Sequence, residues 1–265
     1  MSTATADRFS VKRTTSLARW NLVLLTRNRL AFVYAVVMPL LPLLLLLTGD
    51  RGSETSGASA ITTVFLVAGL FPVYYNVLAQ FVNRRDELVL KRMRTGEVRD
   101  AELVASIALP GVASALAIAV ISVPVAVALG QDLPVNLPLY LAGAVLTVVM
   151  LSAFAFWTAA WTKSAESAQL TSLPIILIVS FGPVFSSMSG LPDVLRDLAE
   201  LTPGSAMGEL VRIGWFGLDG LDATKTTLDF ADTWSAAVGP LGVMVAWTAV
   251  AVSLAKRSMR WEPRS

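Results

Sequence analysis

The chain has 265 residues, 55% hydrophobic and 15% charged, with a mean hydropathy of +0.65, a net charge of +2 and a pI near 9.1. Soluble domains carry charge on about a quarter of their residues, so this composition belongs to a membrane protein. It has no cysteine and no histidine, which excludes disulfides, thiolate chemistry, histidine-ligated metals and imidazole acid–base catalysis.

In chain order, six apolar runs suit helices that cross a hydrocarbon core of about 30 Å at about 1.5 Å per residue. They are 31–48, 59–82, 102–130, 138–161, 169–189 and 233–255. Apart from Glu102 none contains a charge, so the bundle is expected to hold no other ionisable acid or base. The third run exceeds one crossing, and Pro110-Gly111 predicts a break or kink there, with the first two turns along the membrane surface. Pro39, Pro42, Pro124, Pro174 and Pro183 also fall within runs, where neighbouring helices shelter freed carbonyls; packing or bending is expected of them. The sequence Ala58-Ser59-Ala60 resembles a signal-peptidase site, but the first run is too long and too far from it, and is expected to be retained.

Lys and Arg number seventeen in segments 1–30, 83–101, 162–168 and 256–265, against four in 49–58, 131–137 and 190–232. Cations accumulate on the cytoplasmic side, which places both termini in the cytoplasm of a multi-pass protein of the cell's inner or plasma membrane. The acids of 190–232 fit the outer face.

Proton- and ion-driven transporters hold ionisable groups at depth, and many are built from repeated halves; neither feature is apparent. No nucleophile–base pair suits intramembrane catalysis. The phosphate loop G-x-x-x-x-G-K-[ST] is absent, so an ATPase would have to be a separate subunit.

Between the second and third runs stands RRDELVLKRMRTGEV, residues 84–98. Residues 83–95 read as a short amphipathic helix: Glu87 and Lys91 form an i,i+4 pair, Val89, Leu90 and Met93 an apolar side, and Gly96 a stop. Anionic lipid accounts for cations alone. Cations mixed with Asp86, Glu87, Glu97 and Asp100 beside an apolar strip fit a protein partner better.

This segment resembles the intracellular coupling helix of ABC-2 permeases, the membrane subunits of type-2 ATP-binding-cassette exporters, whose pattern runs R-R-E-x-G-x-L-K-R-L-R-x-T-P. Arg84, Arg85, Leu90, Lys91, Arg92 and Arg94 match it, with Asp86 for Glu and Met93 for Leu; Leu88 replaces Gly, and Gly96-Glu97 replaces Thr-Pro. Residues 17–45 are similar to the family's N-terminal approach: an interfacial helix, the pair Arg27-Asn28, and a first span with Met38-Pro39. Trp20 is placed to anchor that helix among headgroups. Residues 190–217 resemble two short outer helices before the last span. Leu191, Val194, Leu195, Leu198 and Leu201 share one face there, and Met207, Leu210, Val211 and Gly214 another; Pro192 suits a first helical position, and Pro203-Gly204 divides the pair. These helices either cap an exit or pack as a lid.

The resemblance implies an all-α polytopic fold: six transmembrane helices, an N-terminal interfacial helix, a cytoplasmic coupling helix and two extracytoplasmic helices. It forms a single domain over 1–265, divided into 1–30, a bundle at 31–255 and a tail at 256–265. It further implies an exporter of hydrophobic or amphiphilic small molecules, such as drugs, antibiotics or lipids, as in multidrug or antibiotic resistance. The chain itself is then not an enzyme: ATP and Mg sit on two copies of a partner subunit. That subunit docks on Arg84, Arg85, Asp86, Glu87, Leu90, Lys91, Arg92 and Arg94. A second permease chain completes a homodimer, and the small residues of PGVASALAIA and LAGAV pack either across it or within one chain. Tyr74, Tyr75, Asn76 and Gln80 in the second run, with Phe154, Trp157 and Trp161 in the fourth, are the candidate substrate pathway, since buried polar groups and aromatic faces need partners. The rival readings are a stand-alone secondary transporter or channel, and a non-transporting scaffold.

Overall fold

The computed structural model describes residues 11–47, 52–90, 99–164, 166–186, 192–220 and 225–259. Helix α1, Val11–Arg27, is followed after Asn28 by α2, residues 29–47. The longer helices are α3 (Glu54–Asp86), α4 (Asp100–Ala128), α5 (Leu137–Ala159) and α6 (Leu173–Ser186). After them come α7 (Asp193–Glu200), α8 (Pro203–Phe216) and α9 (Val238–Ser258). No strand occurs among the described residues. Four of these helices, α3, α4, α5 and α9, are long and apolar enough to cross a membrane, and shorter apolar stretches lie at Val33–Leu47 in α2 and Leu173–Val184 in α6.

Helix α4 runs unbroken through Pro110 and Pro124, so the predicted break is absent. Gly111 explains the continuity: it packs on α3 so closely that a Cβ there would overlap the Pro72 carbonyl. Contact from α3 holds this stretch of α4 in line where a free proline helix would give way. Gly143 likewise meets Leu210 of α8. These small residues of PGVASALAIA and LAGAV pack within one chain.

Two π-helical segments interrupt the other helices, Val33–Val37 in α2 and Gly69–Tyr75 in α3. Each accompanies a proline, Pro39 just beyond the first and Pro72 inside the second. A proline ring crowds the carbonyl four residues back, and widening the turn relieves it. The Asn76 N–H accordingly reaches the Phe71 carbonyl, five residues back.

Helix α5 is central, packing against α3, α4, α8 and α9. Helices α7 and α8 confirm the divided pair, with Pro203 opening the second helix under a Thr202 cap and Pro192 one position ahead of the first. Their faces diverge. Val194, Leu195, Leu198 and Leu201 of α7 and its end are exposed, while all of α8 except Glu209 and Arg212 is buried. At one end of α8 the Gly214 and Trp215 carbonyls accept from Asn136 and Val135, ahead of α5. At the other, Gly204 presses on the Val179 carbonyl of α6, and the Trp247 indole, midway along α9, donates to the Leu201 carbonyl at 2.8 Å.

The pair is therefore a hairpin in which α8 is driven into the bundle while α7 keeps Val194, Leu195 and Leu198 exposed. It brings Glu209 and Arg212 among apolar helices, which overturns the expectation of a bundle without ionisable groups. Run length and charge assigned residues 190–232 to the outside as a whole, and a helix that folds back leaves no mark in either.

Candidate functional site

The two π segments face one another across a cavity of about 640 Å³, lined by Tyr34, Ala35, Phe71, Pro72, Tyr75, Asn76 and Gln169. The rings of Tyr34 and Phe71 stack at 6.2 Å, and Phe71 and Tyr75 follow at 5.8 Å. The Ser172 hydroxyl donates to the Tyr75 hydroxyl at 3.4 Å. Aromatic walls with a few amides and hydroxyls suit a largely apolar ligand held by a small number of polar contacts.

The seven pathway candidates divide. Tyr75 and Asn76 line the cavity. Gln80 extends from it: its Nε2 donates to Asn76 Oδ1 at 2.9 Å, and its Oε1 accepts from Arg84 Nη2 at 3.3 Å. Tyr74, fully buried, turns to α5 and shares a 3.0 Å hydrogen bond with the Thr158 hydroxyl. Phe154, Trp157 and Trp161 form a separate stack along α5, with ring centres 6.1 and 5.2 Å apart, and Phe154 also meets Trp247 of α9 at 6.2 Å. Asn76 Nδ2 is buried with no hydrogen-bond partner among the described residues. At a cavity edge, such a group is an available donor for a ligand oxygen.

Tyr34, Phe71 and Gln169 were missed by sequence reasoning. Phe71 and Tyr34 carry only a weak signal, an aromatic near a proline. Gln169 opens an apolar run, and its place in the sequence carries no sign of a cavity.

The charged segment begins where α3 ends. Residues 83–86 are the last turn of α3 and not the start of a separate helix, and helical structure resumes at residues 89–90. Leu88 separates the two with φ of 60°, a left-handed conformation next to the helix terminus. That position normally takes glycine, the residue that the family pattern has there. Asp86 and Glu87 are exposed and Arg84 is half-buried. Leu90 is buried, and so is Arg85. The Arg85 guanidinium donates through Nη1 to the Ala159 carbonyl and through Nη2 to the Thr162 carbonyl, both at 2.7 Å, while Nε lies 3.5 Å from the Asp86 carboxylate. It thus closes the C-terminal end of α5, whose last carbonyls lack helical partners. Lys91, Arg92 and Arg94 lie outside the described residues.

An all-helical protein embedded in a membrane, with a cavity linked along α3 to a charged segment between two long helices, is the class these features define. Residues 31–256 match the family described as ABC-2 family transporter protein, and the chain belongs to that family of membrane transport components, whose membership implies an ATP-binding partner. No curated protein matches the sequence.

Proposed function

We propose that the chain is the permease subunit of an ATP-driven exporter, moving a hydrophobic or amphiphilic small molecule out of the cell. In this reading α2, α3, α4, α5, α6 and α9 are six crossings of the cell membrane, with both termini cytoplasmic. The cavity between the π segments then opens toward the cytoplasm. Two ATP-binding subunits, which hold ATP and Mg, dock on the segment 83–101, and a second identical permease completes the assembly.

The observation that carries the reading is a continuous physical link from docking segment to cavity. Asn76, Gln80 and Arg84 are hydrogen-bonded in series down one face of α3, and the next residue, Arg85, is clamped to the end of α5. In this reading, force on the exposed Asp86 and Glu87 passes along these hydrogen bonds to both cavity wall and central helix. Two arrangements of the π turns, biased by nucleotide at the partner, would alternate the pathway.

The test is replacement of Arg84, Asp86, Glu87, Lys91 and Arg92 together by alanine in the complex with its ATP-binding subunit. ATP hydrolysis should continue and transport should stop, with Arg85 left in place to keep the bundle intact. Unchanged coupling would refute the docking role. A second reading, a stand-alone ion-coupled transporter, draws support from Glu209 inside the bundle. It requires the chain alone, in vesicles, to concentrate a solute on a proton gradient.

A further inference from the structure

A second cavity, of about 300 Å³, lies between the first turns of α3, the end of α6, and α8. About twenty ångströms of α3 separate it from Asn76, at 1.5 Å per residue from Thr62. Its walls are apolar at Ala58, Pro183 and Val184 and polar at Ser59, Thr62, Ser205, Glu209 and Arg212.

The polar groups are not equivalent. Thr63, also on the wall, spends its hydroxyl on the Ser59 carbonyl at 2.7 Å. Arg212 is anchored through Nη2 to the Gly220 carbonyl at 2.9 Å. The Glu209 carboxylate forms no hydrogen bond or ion pair with any described residue. The carboxylate is half-buried and keeps some contact with solvent, and a partly desolvated carboxylate without a donor favours a cationic partner. The charges around it do not compensate: Arg212 stands one turn on, against Glu200 at the end of α7 and Asp219 beyond α8. Helix α6 has no ionisable residue, and at this end α3 adds only Glu54. Three acids, Glu209, Glu200 and Asp219, thus outnumber the one cation Arg212 around a pocket with an apolar rim, which suits the charged end of a larger amphiphile.

We propose that this pocket binds the protonated amine of an amphiphilic substrate, with Glu209 as counter-ion and the Ser59 and Thr62 hydroxyls as further acceptors. The proposal rests on the export reading and narrows its substrate class: the ammonium end lodges between α3 and α8 while the apolar body lies toward the lipid-facing helices. In that reading the pocket is at the outer end of the bundle, where an outside proton on Glu209 displaces the amine. Burial, with the acids Glu200 and Asp219, holds the Glu209 carboxyl above the usual carboxylate range. Binding of a permanently protonated amine should therefore strengthen as pH rises through that raised value.

The probe is dansylcadaverine, a fluorescent amphiphile with a primary amine, compared with its neutral N-acetyl derivative. Binding is read by fluorescence anisotropy on the full chain in nanodiscs of zwitterionic lipid, with empty nanodiscs subtracted. Wild type should bind the amine at least about ten-fold more tightly than the acetyl form, the factor one charge-assisted hydrogen bond supplies. This preference should grow with pH. Glu209→Gln should abolish both the preference and its pH dependence, and Thr62→Val should reduce the preference only partly. Equal binding of the two probes by wild type, or a preference that survives Glu209→Gln, would overturn the proposal. The wild-type comparison stands whether or not a variant folds. No ATP-binding subunit is present, so failure of ATP-driven export leaves this result intact, and failure here leaves export by the other cavity intact.

Discussion

Arg85 and Thr162 are 77 residues apart in sequence and are joined by a 2.7 Å hydrogen bond from guanidinium to backbone carbonyl, with the arginine wholly buried. Of two adjacent arginines in a cationic run, Arg84 lies half-buried along α3 against Gln80 and Arg85 is a structural pin. Successive helix positions differ by about 100° in direction, so the neighbours cannot share a role by sharing a charge.

Arg85→Ala should strip donors from the Ala159 and Thr162 carbonyls and cost about 2–4 kcal/mol. Lysine has one ammonium where the fork serves two carbonyls, so Arg85→Lys should recover only part of that. Thermal unfolding of the purified chain in detergent measures both. The exposed neighbours Asp86 and Glu87 should tolerate alanine with little change.

Leu88→Gly should stabilise the chain. A leucine at φ of 60° carries a steric penalty of about 1 kcal/mol that glycine lacks, and its exposed side chain gives up little packing. Leu88→Val, β-branched, should move the unfolding temperature the other way.

Tyr74 and Tyr75 should separate in assay. Tyr74→Phe deletes the bond to Thr158 and should lower stability by about 1 kcal/mol, with substrate affinity unchanged. Tyr75→Ala removes a cavity wall and should raise the KM for transport by roughly ten-fold, the scale of one lost aromatic contact. A larger transport defect in Tyr74→Phe would contradict this assignment of the cavity.

Stability should also depend on pH through Glu209. Its folded-state carboxyl holds the proton to higher pH than in the unfolded chain, because of burial first and Glu200 second. The contribution is fully present below the unfolded value and is lost as pH rises through the folded one. Glu209→Gln should flatten this fall and leave the variant more stable than wild type at neutral pH. Unfolding temperatures across a pH series from mildly acid to neutral check the sign.

Much of the helical plan was legible because hydrophobic run length and proline placement are local signals. The four long helices fall within the runs 59–82, 102–130, 138–161 and 233–255 or extend them by a few residues, and Pro203 marks the start of α8 as composition suggested. What was not legible depends on neighbours. The continuity of α4 at Pro110 is explained by Gly111 meeting Pro72, a contact between distant parts of the chain. The π register of Gly69–Tyr75 follows from the same crowding. Tyr74 and Tyr75 look alike in sequence, and only the packing of α5 decides that one is locked to Thr158 and the other faces the cavity. Glu209 escaped notice because it sits in a segment rich in acids, seven positions past the turn that sends α8 inward.

The burial of α8 also constrains how the protein is made. Its surfaces are supplied by α3, α5 and α6, which precede it, and by α9, which follows it in the chain. Until the ribosome has delivered α9 to the bilayer, the hairpin lacks one wall and Trp247 cannot yet reach the Leu201 carbonyl. Closure of the interior therefore waits for the last of these helices to be inserted, and a nascent chain halted before α9 would remain an open, protease-sensitive assembly.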